Sequence, residues 1–285
     1  MIEKLNNSIV GKYIYITYIY HDCFVVETSS SVLVFDFWKD PLSYLHEDRI
    51  PPLVEELNTH KPIYVLISHH HKDHFTRKVF SWQQRIPSLK YVISNDVFKA
   101  VKYMFKSDSV YTGYRPSSNS LTVLHRGDTF DDGNLKIKAF GSTDIGNSYA
   151  IESDGLKIFH AGDLNAWIWL EESTEAEVNK ARRDFEVIIH EIQALYSEFD
   201  VVMFPIDSRM GRGYDWGADY FISHIATGIF LPMHFELGEN NEERARYLIN
   251  AAKFGKSASS KIDEFIMLSG TRSSYIKYSS KSSRR

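Results

Sequence analysis

The first sustained apolar stretch covers residues 13–37, rich in Tyr, Ile, Val and Phe, with polar breaks at Tyr20-His21-Asp22-Cys23 and at Ser29-Ser30-Ser31. This pattern predicts three consecutive antiparallel strands. Pro51-Pro52 opens a short helix through Leu57, since proline is tolerated in a first helical turn. Residues 62–67, Pro-Ile-Tyr-Val-Leu-Ile, form an unbroken apolar run of the kind buried on both faces of a sheet. A helix over 76–84, a strand at 91–93 and a helix opened by Asn95 or Asp96 follow.

The second half repeats this texture. Strands are predicted at 121–124, 135–140, 148–151 and 156–160, punctuated by the turn signals Asp132-Gly133-Asn134 and Asp154-Gly155. Thr174-Glu175-Ala176-Glu177 reads as a capping box for a long helix reaching Tyr196. Residues 201–206 and 229–233 are buried-type strands with a helix between them at 219–226. Asn241 caps a last helix whose Ala245, Leu248, Ile249 and Ala252 share one face, and Gly255 is expected to stop it. No short-period repeat or low-complexity linker interrupts the chain, so one domain over residues 1–285 is expected.

Composition narrows the function. With 43% hydrophobic residues, 25% charged and a net charge of −4, the chain has the balance of a soluble globular protein and lacks the basic excess of a nucleic-acid binder. The basic concentration from Arg272 to Arg285 is expected to be a solvated, partly disordered tail. Cys23 is the sole cysteine, which rules out an intrachain disulfide and a thiolate zinc cage, so any metal must be held by His and Asp. No run has membrane-spanning length and no signal-peptide core follows Met1, so the cytoplasm is the expected location.

Candidate chemistry concentrates in Ser68-His69-His70-His71-Lys72-Asp73-His74, directly after the apolar run. In extended backbone His69 and His71 point one way and His70 the other, and a turn then carries Asp73 and His74 to the opposite flank of the same cavity. Two imidazoles can begin one divalent site, and a carboxylate with an imidazole a second. Two further strands end in similar fashion: residues 156–160 run into Ala161-Gly162-Asp163, and residues 229–233 into His234. In isolation, Gly-Asp after a strand is a turn and a strand-end histidine is a core residue.

His69-x-His71-x-Asp73-His74 resembles the H-x-H-x-D-H signature of the metallo-β-lactamase superfamily. The resemblance implies a four-layer αββα sandwich, two mixed sheets with helices outside both. It also implies two divalent ions, zinc first, with manganese or iron accepted. Asp163 corresponds to the aspartate that bridges the two ions, and His234 to the last ligand. The expected set is therefore His69, His71, Asp73, His74, Asp163 and His234. One family element differs: Gly141-Ser142-Thr143-Asp144 replaces the usual Gly-His-Thr, so Ser142 stands where a third imidazole belongs. Weaker occupancy of the first site is the consequence, unless Asp144 swings in as a replacement ligand. His21 resembles a position near the site in the lactonase-like and phospholipase-D-like branch, and Asp36 is a candidate acceptor behind a ligand histidine. Ser142, Asp144, Trp167 and Arg209 are candidates for the substrate cleft, the last as a holder of carboxylate or phosphate. His160 and His224 fit structural roles equally well.

The implied activity is hydrolysis of an ester, lactone or phosphodiester bond in a small substrate by a metal-bound hydroxide, with Asp73 orienting the nucleophile and carrying its proton. Two rivals remain: a small-RNA nuclease of the same superfamily, and a degenerate mononuclear or ligand-binding relative without turnover.

Overall fold

A computed structural model describes residues 13–41, 60–106, 108–235, 241–270 and 272–278. The helix expected at 51–57 lies outside them. Two seven-stranded mixed sheets face each other. The first has the order β14-β1-β2-β3-β4-β5-β6, built from β1 (Tyr13–Tyr20), β2 (Cys23–Thr28), β3 (Val32–Phe35), β4 (Ile63–Ile67), β5 (Lys90–Ser94), β6 (Leu121–Leu124) and β14 (Ser274–Tyr278). It is antiparallel from β14 to β3 and parallel from β3 to β6.

The second sheet has the order β13-β12-β11-β10-β9-β8-β7. Its strands are β7 (Thr129–Asp131), β8 (Lys136–Gly141), β9 (Asn147–Ser153), β10 (Leu156–His160), β11 (Glu198–Pro205), β12 (Ala226–Met233) and β13 (Ile262–Phe265). The mixed, layered architecture agrees with the expected sandwich.

Side-chain alternation sorts the core. Ile14, Ile16, Phe24, Val26, Leu33 and Leu66 of the first sheet pack with Ile137, Ile151 and Ile158 of the second, while Val25, Val34, Val65 and Ile67 face outward onto a separate cluster. That outer cluster is closed by the 3-10 helix Arg77–Gln84, through Val79, Phe80 and Trp82, and by α1 (Asn95–Val101). β4 is buried along its whole length, as its unbroken apolar run requires. Outside the second sheet lie α2 (Glu175–Gln193), which carries the expected capping box at Thr174 and Glu177, α3 (Trp216–His224) and α4 (Asn241–Ala258). No helix among the described residues is long and apolar enough to cross a membrane.

Two expectations are corrected. Gly255 does not stop the last helix, which runs on to Ala258. A Cβ at Gly255 would come within 2.4 Å of a Phe265 ring carbon, so the glycine serves close packing of α4 on β13. The stretch from Arg272, expected as a tail, supplies β14, paired antiparallel with β1, and the Arg272 guanidinium donates to Asp40 at 2.6 Å. Residues 279–285 lie outside the described chain.

The turn at Asp132 ties the two sheets together. One Asp132 carboxylate oxygen accepts from Tyr64 Oη (2.7 Å) and Lys90 Nζ (2.6 Å) of the first sheet, and the other from the backbone N–H of Asn134 and Leu135. Burial opposes ionisation, but Lys90 and Tyr64 outweigh it and bring the Asp132 pKa down to about 2. Asp132→Ala is expected to cost about 1–3 kcal/mol of stability in denaturant titrations. The folded pKa lies below the unfolded value of about 3.9. The wild-type advantage should therefore be full above that value and shrink as pH falls through about 2. An advantage that stays constant down to pH 2 would count against the ionic part of the tie.

Candidate metal centre

Strand ends converge at one rim of the sandwich. After β4, the backbone N–H groups of His74 and Phe75 both bond to His71 O, at 3.1 and 3.0 Å, and this tight turn swings Asp73 and His74 back over His69. Asp36 follows β3, Asp144 follows β8, Asp163 follows β10, Asp207 follows β11, and His234 follows β12. The β1–β2 turn delivers His21 and Asp22 to the same place.

Asp163 lies between two sets of side chains. Its Oδ2 is 3.3 Å from His69 Nε2, while its Oδ1 is 3.1 Å from both His74 Nε2 and His234 Nε2. Ligand atoms of His69, His71, Asp144 and Asp163 form an outer group within 4.8 Å of one another, and those of His21, Asp22, His74 and His234 form an inner one. Ser142 contributes no imidazole, but its Oγ accepts from the Asp144 N–H at 3.2 Å, and the Asp144 carboxylate stands 3.3 Å from His71 Nδ1. The structure thus brings Asp144 beside His71. His71 and Asp144 are partly exposed, whereas the inner side chains are all buried.

Partners behind the imidazoles set their orientation. His74 Nδ1 donates to Asp36 Oδ2 at 2.9 Å. Ser68 Oγ donates to the same oxygen at 2.5 Å and accepts from His69 Nδ1 at 2.9 Å. Each bond holds the ring proton on Nδ1 and turns the Nε2 lone pair into the cavity. Asp36 therefore stands behind His74 and, through Ser68, behind His69. Burial opposes its ionisation, but the His74 bond and nearby imidazoles hold its pKa below the ordinary range.

His234 Nδ1 is oriented in the same way by Asp207 Oδ2 at 3.1 Å, and Arg209 Nη2 reaches that carboxylate at 2.6 Å. Arg209 thus stands beside Asp207 behind His234, with its side chain 55% exposed. Trp167 Nε1 donates to Asp163 O at 2.9 Å, and its ring lies edge-on to His234. It is part of the wall of this rim. His160 bonds through both ring nitrogens, to Asp22 O and from Gly162 N, and His224 Nδ1 bonds Tyr220 O, so both are structural.

Electrostatics match a cation site. Burial works against charge on both partners, yet His234 and His74 hold Asp163 well below the ordinary carboxylate range, and Asp163 with Asp22 raises both imidazoles. The His21 imidazole foremost, then His74, keeps the Asp73 carboxylate low as well, despite partial burial. Non-glycine residues with left-handed backbone gather here: His21, Asp36, Trp167 and His234, four of six among the described residues. Such strain persists where surrounding contacts over-determine a site.

The fit to metal rests on unpaired donors. Among the described residues, the buried side-chain atoms without a hydrogen-bond partner include both ring nitrogens of His21, both carboxylate oxygens of Asp22, Nε2 of His69 and of His74, and Oδ1 of Asp163. Each such atom costs about 1–3 kcal/mol when left unsatisfied. Gathered in one cavity, these donors fit divalent cations. Sequence reasoning missed Asp22 and Asp207. A strand-end position was the available signal for Asp207, and adjacency to His21 for Asp22.

Comparison with known proteins bears on the family and the fold. Residues 15–180, more than half of the chain, match the family described as the Beta-lactamase superfamily domain. No curated protein sequence matches the chain. Among solved structures, Igni18, a metallo hydrolase from the hyperthermophilic archaeon Ignicoccus hospitalis, superposes with a TM-score of 0.62 at 16% identity, covering 93% of this chain and 98% of that one. The metallo-β-lactamase fold protein YhfI from Bacillus subtilis gives 0.54 at 12% identity, over 94% and 100%. CmlA, a diiron β-hydroxylase from Streptomyces venezuelae, gives 0.55 at 9% identity, over 95% of this chain and 55% of that one. At such identities the likeness is one of fold. The family match over residues 15–180, joined to two facing mixed sheets with His and Asp side chains gathered at one rim, places the chain in the β-lactamase superfamily, whose members are mostly metal-dependent hydrolases.

Proposed function

We propose that this protein is a hydrolase that uses two divalent ions to cleave an ester, lactone or phosphodiester bond in a small substrate. The observation that carries the reading is Asp163, whose two oxygens face separate groups of donors, several of them buried and unpaired. His69, His71, Asp144 and Asp163 would hold the outer ion, and Asp73, His74, Asp163 and His234 the inner one. Zinc is the first candidate, and manganese or iron suits the same His and Asp donors. Such ions supply Lewis acidity and make water a nucleophile near neutral pH.

The remaining steps fall to side chains. Asp73 is kept ionised by His21 and His74, and its side chain is 38% exposed, so it can reach a solvent-borne reactant. It accepts a proton from the attacking water and returns it to the leaving group. Asp36 through Ser68, and Asp207 with Arg209, hold the imidazoles so that no reorganisation is needed during reaction. The Trp167 ring offers an apolar wall for the substrate.

Elemental analysis of protein purified without chelator, followed by a screen of lactones and phosphodiesters, tests the reading. Two ions per chain with turnover are expected. Asp73→Asn should retain metal while lowering kcat by about 10²–10⁴-fold. Full activity in that variant would remove Asp73 from proton transfer. Two ions without hydrolysis of any substrate class would favour a ligand-binding relative.

A further inference from the structure

We propose that a cavity on the reverse face of the metal loop binds a small organic anion, an aryl or alkyl carboxylate, sulfonate or phosphate monoester. Lys72 and Arg77 meet its charged group, and Phe75, Ala100 and Val101 meet its apolar body. This site is separate from the metal centre and stands whether or not two ions bind there.

The cavity measures about 330 Å³ and is lined by His70, Lys72, Phe75, Thr76 and Arg77 of the loop and by Ala100 and Val101 of α1. That size lies at the lower end of small-molecule sites, which combine apolar walls with a few placed polar groups. None of the donors gathered at the metal rim lines it. Strand alternation gives the reason, since His70 points away from His69 and His71.

Its charge is positive and already held in place. Arg77 donates to Tyr103 Oη, and its guanidinium lies 5.9 Å from the centre of the Tyr103 ring, which in turn packs edge-on to Tyr111 at 6.0 Å. The guanidinium fork keeps further N–H donors for a carboxylate, sulfonate or phosphate. Among the described residues, neither Lys72 nor Arg77 has a carboxylate partner. The carboxylate nearest the lining is already engaged: one Asp96 oxygen accepts from the backbone N–H and the ring Nδ1 of His70, each at 2.9 Å, and the other from Ser94 Oγ at 2.5 Å.

The apolar wall decides the class of ligand. Val101 is buried at 1% exposure, and the Phe75 ring is fixed against Phe80 at 5.8 Å. An exposed ion pair by itself contributes little, so a bare inorganic anion gains weakly here. Burial of an aryl or alkyl group against Phe75 and Val101 adds the larger part.

Isothermal titration calorimetry on the full chain as purified tests the site with benzenesulfonate, whose sulfonate is a poor metal ligand. Saturable binding is expected, with uncharged benzyl alcohol and ringless inorganic sulfate each weaker by about threefold or more. Arg77→Gln should weaken benzenesulfonate binding by about threefold or more, and Ala100→Trp, which fills the cavity, should abolish it. Both positions are exposed, and if one variant fails to fold the other decides. No binding to the wild type, or wild-type affinity in both variants, would overturn the proposal.

The same Ala100→Trp protein separates two sources of the anion. A raised KM at constant kcat for an ester that carries a distant carboxylate, but not for its neutral analogue, identifies the far end of the substrate. Unchanged kinetics beside lost benzenesulfonate binding identifies a separate effector. Absence of turnover with every ester would overturn the hydrolase reading and leave the calorimetric result in force.

Discussion

Asp163→Asn is expected to reduce the metal content from two ions per chain to one or none and to lower kcat/KM by about a thousandfold or more, with the fold retained. Substitution of residues behind metal ligands typically costs about 10–100-fold in affinity or activity. Asp163 lies in front of them, with separate oxygens toward His69 on one side and His74 and His234 on the other. Asparagine keeps the shape but offers one acceptor oxygen and no charge. It leaves two buried imidazoles facing each other without the anion that now separates them. Metal analysis and circular dichroism on the same preparation check this. Retention of two ions by a folded Asp163→Asn protein would remove the bridging role.

A second large effect is expected at a position that carries no side chain. Gly146 has φ +78°, and a Cβ there would lie 2.2 Å from Ser68 O and 2.5 Å from His69 Cβ. The backbone at this point is pressed against the metal loop, where Asn147 N also donates to Ser68 O at 3.0 Å. Gly146→Ala combines a left-handed penalty of about 1–2 kcal/mol with overpacking of about 1–3 kcal/mol. A loss of about 2–5 kcal/mol is the expected sum, together with weaker outer metal binding as His69 is displaced. Gly133→Ala is the control, because Gly133 shares a positive φ but has open space where its Cβ would go. It should show the backbone penalty alone and unchanged metal content. Equal stability and metal content in the two variants would show that the close approach at Gly146 does not position His69.

The motif loop was legible because its information is local. A buried-type strand followed by His69-x-His71-x-Asp73-His74 places side chains by strand alternation and one turn, which needs no partner from elsewhere. Capping at Thr174 and the hairpin turn at Asp154-Gly155 are local in the same sense, and both formed where expected. Gly255 misled because glycine has two uses. A helix stop and a close packing contact look the same along the chain, and only Phe265, brought alongside by β13, distinguishes them.

Other features depend on pairing across long separations. β14 carries Ser, Lys and Tyr in a pattern that suits solvent, and it becomes a strand because β1, some 260 residues earlier in the chain, has an open edge to pair with. Arg209 read as an anion holder because a guanidinium is equally able to bind a substrate or a buried aspartate. The fold supplied Asp207.

By itself the sequence determined the strand and helix pattern, the family, and a motif able to begin two metal sites, since each follows from residue type and short spacing. Tertiary structure decided how those sites are completed. It brought Asp144 beside His71, set Asp207 and Arg209 behind His234, and turned His21 and Asp22 inward from the first hairpin. The physical reason is that a ligand cage is defined by distances of a few ångströms between strand ends that lie far apart along the chain, from Tyr20 to Met233. Sheet order and register, unlike residue spacing, set those distances.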